Sequence, residues 1–373
     1  MKHYRVILLL MLLIPVLSGC NNGQMLSDMT IVQSMAVDRV GRDTSVTLEY
    51  LNLSKSTGAT DSISNNITAD VSGRGSNLSD SIFSASSSLS KSTFFGQNKV
   101  IVFGMEYARH DLSKGMDYLL RSADSRPDVF VAISNTTAEE IVKNKEMGAR
   151  IPAQSLYDLI SKLDDDGIGV SVSVYDLLNF YSDPTADMFA PVLHSGKSSV
   201  SCRGIAVFRD NEYALTLDGN QPLGFNFIFG RVKAGTMNVM SADMGIIGIA
   251  VNDSNSKCRV YVVDDNIYFE CKINVKFVLN DIEKGTTVSV DKAQIEQIEN
   301  LVSNAICGYC RDAFFACTSA GCDPFCVGRY LSRYDADIYD FYKQDWHRYI
   351  TTVQPRISVN SRLIQVNDNS VRD

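Results

Sequence analysis

The sequence predicts an α+β fold, with mixed sheets flanked by helices in two to three lobes behind an N-terminal lipoprotein signal peptide. Three observations carry this. Between residues 78 and 164, short apolar runs alternate with helical periodicity, which indicates a layered α/β or α+β arrangement. After residue 200 the chain becomes strand-rich, then closes as a long helix and a final strand. Before both stands a basic start and one short apolar run.

Asn21 to Ser27 reads as a flexible tether. Thr30 to Val37 is apolar, a helix end or a strand, and Asp38 to Asp43 with Gly41 is a turn. Ser45 to Leu53 sets Val46, Leu48 and Tyr50 against Thr47, Glu49 and Leu51, the alternation of a half-buried strand. Ser54 to Asp70 is a polar loop, and Gly73-Arg74-Gly75 a plain turn, far short of a nucleotide-binding fingerprint. Ser84 to Thr93 has linker composition, yet Leu78, Ile82, Ala85 and Leu89 share one helical face, so Leu78 to Ser90 is a helix with a wet serine face. Lys99 to Phe103 (KVIVF) and Asp128 to Ser134 suit buried strands. Glu106 to Ala108 and Leu112 to Arg121 are helical. Thr137-x-x-Glu140 and Ser155-x-x-Asp158 have capping-box spacing.

Asp164 to Gly169 reads as a loop and Ser173 to Phe180 as a short helix. Tyr181 to Ser199, with Pro184, Pro191 and Gly196, is irregular and marks a domain boundary. Gly204 to Arg209, Glu212 to Leu217 and Phe225 to Phe229 read as strands. Lys257 to Val263 and Ile267 to Val275 form a hairpin about Asp264-Asp265-Asn266. Asp291 caps a long helix, with Gln294 at its third position and a stripe of Ile295, Ile298, Val302 and Ile306, and Arg356 to Ile364 is the closing strand. The division is therefore 1–19 (cleaved leader), 20–196 (N-terminal α/β domain), 200–366 (C-terminal α+β domain) and 367–373 (polar tail).

The leader has the most specific chemistry. Lys2 and Arg5 precede an apolar run from Val6 to Leu17, broken by Pro15, that ends in Leu17-Ser18-Gly19-Cys20. This is a bacterial lipobox. The Cys20 thiol is the nucleophile for diacylglyceryl transfer, and small Ser18 and Gly19 admit the peptidase that cuts between Gly19 and Cys20. The run is too short to span a bilayer, which takes about 20 residues. The mature chain is expected to begin at Cys20, carry S-diacylglycerol and N-acyl groups there, and fold outside a cytoplasmic membrane.

Composition narrows the function. A formal charge of −8, more acidic still without Lys2 and Arg5, argues against nucleic acid as a partner. It also argues against electrostatic adhesion to anionic lipid, leaving membrane attachment to the acyl chains. His110, His194 and His347 remain after cleavage, and there is no His-Glu-x-x-His, Gly-x-Ser-x-Gly or complete phosphate loop. No catalytic set, cofactor or metal is implied. Asp164-Asp165-Asp166-Gly167 lacks the later ligands of a calcium loop and reads as a solvated acidic loop. Beyond Cys20 stand Cys202, Cys258, Cys271, Cys307, Cys310, Cys317, Cys322 and Cys326. They could be packed free thiols, disulfides or, from Cys307-x-x-Cys310, a metal site. Cys258 and Cys271 face each other if the hairpin loop is Asp264-Asp265. Trp346, Tyr342, Phe341 and Tyr349 cluster before the last strand, either as helix-to-sheet packing or as a partner anchor. With Arg121 and Arg126, Trp346 and Tyr342 form the candidate partner surface.

These landmarks, in order, resemble the Ger(x)C family, the lipoprotein C subunits of nutrient germinant receptors in endospore-forming bacteria. The lipobox comes first. Ile31 to Asp38 is similar to the family's apolar segment ending in Asp, and Gly96 to Ala108 to its Lys-Val strand and Glu-x-Ala helix. Asp117 to Arg121 and Arg126 match its Asp and paired Arg positions. Gly204 to Asp210 (GIAVFRD) is close to its Gly-x-Ala-Val-Phe-Lys strand, Asp323 to Gly328 (DPFCVG) resembles its Asp-Ile-Phe-Gly-x-Gly, and Tyr342 with Trp346 its Tyr-x-x-x-Trp. The chain departs from the pattern at Asn21-Asn22, at Gln97 and in its cysteine bunch. The resemblance implies a non-enzymatic subunit on the outer face of the inner spore membrane. Its partners would be the A-type and B-type membrane subunits, and its role receptor assembly or signal coupling. The alternative is a solute-binding lipoprotein of a transporter, which would need two doubly wound lobes. The strand-rich second half counts against that, and the missing motifs count against a lipid-anchored hydrolase.

Overall fold

The computed structural model describes residues 26–52, 66–121, 126–145, 150–197, 199–284 and 291–366. The lipobox, the tether over 21–25 and the tail 367–373 lie outside them. Among the described residues two sheets form. The first holds β1 (Met29–Val40), β2 (Asp43–Leu51), β3 (Thr68–Gly75), β4 (Ser92–Phe94), β5 (Val100–Gly104), β6 (Phe130–Ser134), β7 (Phe189–Ser195), β8 (Val200–Arg209) and β9 (Glu212–Leu217). Their order is β3-β2-β1-β5-β6-β7-β8-β9, with β4 beside β1. β1, β5, β6 and β7 are parallel, and the flanking pairs are antiparallel.

Parallel strands are covered on both faces, which explains their continuous apolar runs. Ile101, Phe103, Val131 and Ile133 enter the main core, while Val100, Val102 and Ala132 enter a smaller core with Ile141, Leu156 and Ile160 on the opposite face. The second sheet, in order β10 (Thr236–Ser241), β11 (Gly245–Val263), β12 (Asn266–Ile282) and β13 (Gln354–Val366), packs against the helix Lys292–Ser319. Asp291 and Gln294 close the capping box of that helix as expected, and Ile298, Val302 and Ile306 are buried. The main core runs without a break from β1 to β13.

Several local expectations are corrected. Gly73-Arg74-Gly75 is strand, not turn, and a Cβ at Gly73 would stand 2.1 Å from the Ala85 backbone nitrogen. Glycine there lets the helix Leu78–Ser87 lie directly on β3. Ser155 and Asp158 are inside the helix Pro152–Ile160, whose first turn is set by Pro152. Leu163–Asp166 is one helical turn rather than loop. The irregular stretch before Ser199 contains β7 despite Pro191, because β7 pairs with β6 only at Val192 and Leu193. Phe225 to Phe229 belongs to the helix Gln221–Phe229, started by Pro222 and stopped by Gly230 at φ 64°. That helix is buried on nearly every side, so its sequence shows no period. β10 and the first half of β11 were not expected at all.

Thr137 makes no side-chain cap for the helix Ala138–Val142. Asp38 caps it instead, from the end of β1: its carboxylate accepts from Ala138 N at 2.7 Å and Glu139 N at 2.9 Å. Asp38→Ala leaves two helix N–H groups without their acceptor and is expected to lower stability by about 1–2 kcal/mol. Urea unfolding at unchanged m-value reads this out, and an unaltered midpoint would contradict it.

Candidate functional site

The site is the reversal between the long helix and the next one. The chain leaves Lys292–Ser319 through Gly321 at φ 73°, passes Asp323-Pro324-Phe325, and enters the helix Val327–Tyr334 from Cys326 at φ 61°. Asp323 is 1% exposed. Its carboxylate accepts from Val327 N at 2.8 Å, Gly328 N at 2.7 Å and Trp346 Nε1 at 3.0 Å. Backbone donors at a helix start favour an anion there. Its main chain pairs with Asp187: Asp323 N donates to the Asp187 carboxylate at 2.6 Å, and Asp187 N donates to Asp323 O at 3.0 Å. Burial pushes the Asp323 carboxyl up to about 7, against the hydrogen bonds from Gly328 and Val327, with the Asp187 charge adding to the rise. Burial raises Asp187 as well.

Asp187 belongs to the loop between the helix Val174–Tyr181 and β7, and a second clamp holds the same loop. Arg329 donates through Nε and Nη2 to Asp183 Oδ2 at 2.9 and 2.5 Å, and Thr185 N donates to Asp183 Oδ1 at 2.8 Å. Burial opposes ionisation of Asp183, but the Thr185 and Arg329 donors outweigh it and lower its pKa. A Cβ on Gly328 would stand 2.9 Å from Thr185 O and 3.1 Å from the Trp346 indole, so glycine is what permits this approach. Beneath lies a chain of aromatic contacts. Phe189 of β7 meets Phe225 at 5.0 Å between centroids, Phe225 meets Phe325 at 5.2 Å, Phe325 meets Phe314 at 5.3 Å, and Phe314 meets Phe269 of β12 at 5.2 Å. Polar lock and aromatic spine together tie the first sheet to the second.

Cys20 and Gly19 lie outside the described residues. The other candidates do not form one surface. Trp346 is 4% exposed and turned onto Asp323, with Tyr339 at 6.0 Å, so of its two readings the structure has internal packing and not an exposed partner anchor. Tyr342 is half-buried against Tyr349 at 4.5 Å. Arg121 is exposed, pairs with Asp117 at 2.9 Å and lines a cleft of about 460 Å³. Arg126 chelates Asp128 and donates to Gly96 O at 2.7 Å. Sequence reading singled out Asp323 only by resemblance and missed Asp187 and Asp183, whose signal was the acidic loop Asp183-Pro-Thr-Ala-Asp187 before an apolar run.

The eight cysteines among the described residues are free thiols. Among the described residues no three His, Cys, Asp or Glu side chains are placed to hold a metal. Burial pushes Cys310 and Cys317 well up, and Cys322 and Cys326 up to about 12, which suppresses the reactive thiolate.

One surface was hidden by net charge. Register and exposure place Lys257 and Arg259 of β11, Lys272 and Lys276 of β12, and Arg356 and Arg362 of β13 on the open face of the second sheet. Asp253 and Glu270 stand among them and are paired, with Lys233 and Arg259, while the exposed Asp281 lies further along the same face over Gly248. An acidic chain thus presents a basic plane.

Trp346 is the single tryptophan, so its emission reports on the lock. Asp323 has a folded pKa of about 7 against an ordinary 3.8, so the fold binds its proton more tightly than the unfolded chain. Its contribution to stability is full below about pH 4 and is lost as pH rises through about 7. The stability of wild type relative to Asp323→Asn is therefore expected to fall over that window. A rise would mean that the three N–H donors outweigh burial.

Residues 22–195 match the family described as "Spore germination protein N-terminal domain", and residues 203–367 match "Spore germination B3/ GerAC like, C-terminal". The chain is 20% identical over 340 residues to "Spore germination protein KC" of Bacillus subtilis, covering 80% of this chain and 81% of the relative. It is 22% identical over 219 residues to "Spore germination protein GerQC" of Bacillus cereus, covering 57% and 59%. A solved structure titled "Crystal Structure of the GerBC protein" superposes with a TM-score of 0.60 at 14% identity, over 89% of this chain and 97% of that one, which shows a shared fold. With both halves matched in order across nearly its whole length, the chain belongs to the Ger(x)C family of spore germinant receptor C subunits.

Proposed function

We propose that this chain is a lipid-anchored, non-enzymatic subunit of a spore nutrient germinant receptor. It acts in receptor assembly or signal coupling by contact with the A-type and B-type membrane subunits. The observation that carries the reading is the pair of spore germination domains matched in order over 22–195 and 203–367. Among the described residues no helix is long and apolar enough to cross a membrane; in this reading attachment is through the lipidated Cys20. Two or three acyl chains there hold the chain on the outer face of the inner spore membrane. Confinement raises the local concentration, so modest protein contacts suffice. The basic plane of β11, β12 and β13 is the surface we assign to those contacts, facing an acidic surface of a membrane subunit. The solute-binding reading is less well supported, since one core joins two unlike sheets rather than two doubly wound lobes.

Deleting the gene is expected to abolish the spore's response to nutrients while leaving a non-nutrient trigger effective. An unchanged nutrient response in a strain without a paralogue would overturn the assignment. Cys20→Ala should leave the protein without acyl chains and release it from washed membrane fractions. The double variant Lys276→Glu/Arg362→Glu should accumulate normally yet slow nutrient germination; a wild-type rate would remove the basic plane from the contact.

A further inference from the structure

Cys258 and Cys271 are directly opposite in the β11–β12 hairpin. The register is unbroken from the turn, where Val263 faces Asn266 across the two-residue loop Asp264-Asp265, both at positive φ. A loop of this kind is closed by a hydrogen-bonded pair, and the pairs then alternate. Five steps from the turn, Cys258 and Cys271 fall on a non-hydrogen-bonded pair. Cα atoms there lie about 4.5 Å apart, inside the range a disulfide spans. The side chains share the core face, with Cys271 Sγ and Cys258 Sγ 2.8 Å apart and both near Ile228 O. Cys258 is half-buried and Cys271 fully buried. The two thiols are also unequal in acidity. The contact between the two thiols lowers the pKa of Cys258 and raises that of Cys271. The reachable sulfur is thus the better nucleophile.

We propose that Cys258 and Cys271 form an oxidation site, with Cys258 as the attacking thiol and Cys271 as the resolving thiol, closed to a cross-strand disulfide by a low-molecular-weight disulfide. The Cys258 thiolate attacks one sulfur of the small disulfide. A bond forms between Cys258 and that sulfur, the small S–S bond breaks, and one small thiolate leaves and takes up the Cys258 proton. Cys271 then gives up its proton and attacks Cys258 Sγ, so the protein S–S bond forms as the mixed disulfide breaks. The second small thiolate leaves with that proton. Two protein thiols are oxidised and one small disulfide is reduced to two thiols. The bond would staple β11 to β12 beneath the helix Gln221–Phe229. Burial pushes the Cys310, Cys317, Cys322 and Cys326 thiols up, so those four are poor competitors as attacking thiolates.

The test uses the full chain, purified reduced, exposed to glutathione disulfide, alkylated and mapped by mass spectrometry. The expected product has lost two hydrogens, with the Cys258 and Cys271 peptides linked and both protected from alkylation. Cys271→Ser should stop at the glutathione mixed disulfide on Cys258, and Cys258→Ser should leave Cys271 reduced. Wild-type protein that keeps both thiols alkylatable, stalls at the mixed disulfide, or links another cysteine pair first overturns the proposal. The wild-type map decides this even if a serine variant fails to fold, which circular dichroism checks.

Discussion

Three N–H donors, from Val327, Gly328 and Trp346, converge on one carboxylate that has almost no contact with water. Taking such a charge out of water costs several kcal/mol, and donors fixed in place recover part of it. Asp323 therefore constrains everything around it. The next helix must start where its amides can point inward. Residue 328 must be glycine, since any Cβ would press on Thr185 O and the indole. The last helices must fold back to deliver Trp346. The reciprocal pairing with Asp187 then carries the constraint across to the loop before β7.

Because that loop feeds the first sheet, the lock belongs to both matched halves. The junction at 196–200 is not a gap between bodies: β8 pairs with β7 and β9 with β8, so the start of the second half completes the first sheet. The aromatic spine from Phe189 to Phe269 adds an apolar link along the same line.

Much of this was legible in the residues. Lys99 to Phe103 and Asp128 to Ser134 are strands because only a doubly covered parallel layer tolerates such runs, and the Leu78 helix showed its period through a serine-rich composition. Asp291 and Gln294 capped as their spacing said. What failed did so for physical reasons. Phe225 to Phe229 is buried all round, so no period separated helix from strand. β7 is reached through Pro191, which reads as a breaker. Thr137 has capping spacing, yet Asp38, a hundred residues earlier, takes the cap. Trp346 read either as packing or as a partner anchor, because composition does not report orientation. The basic plane was invisible to net charge because register alone gathers Lys257, Lys276 and Arg362 on one face.

The central claim is that the Asp323 lock makes the two halves one cooperative unit. Native-state hydrogen exchange measures it directly, by comparing the opening free energies of the β6 amides in the first sheet and the β12 amides in the second. The account predicts that the most protected amides of both sheets open with the same free energy and the same denaturant dependence. If β12 opens with a distinctly smaller free energy while β6 stays protected, the halves are independent and the lock does not join them.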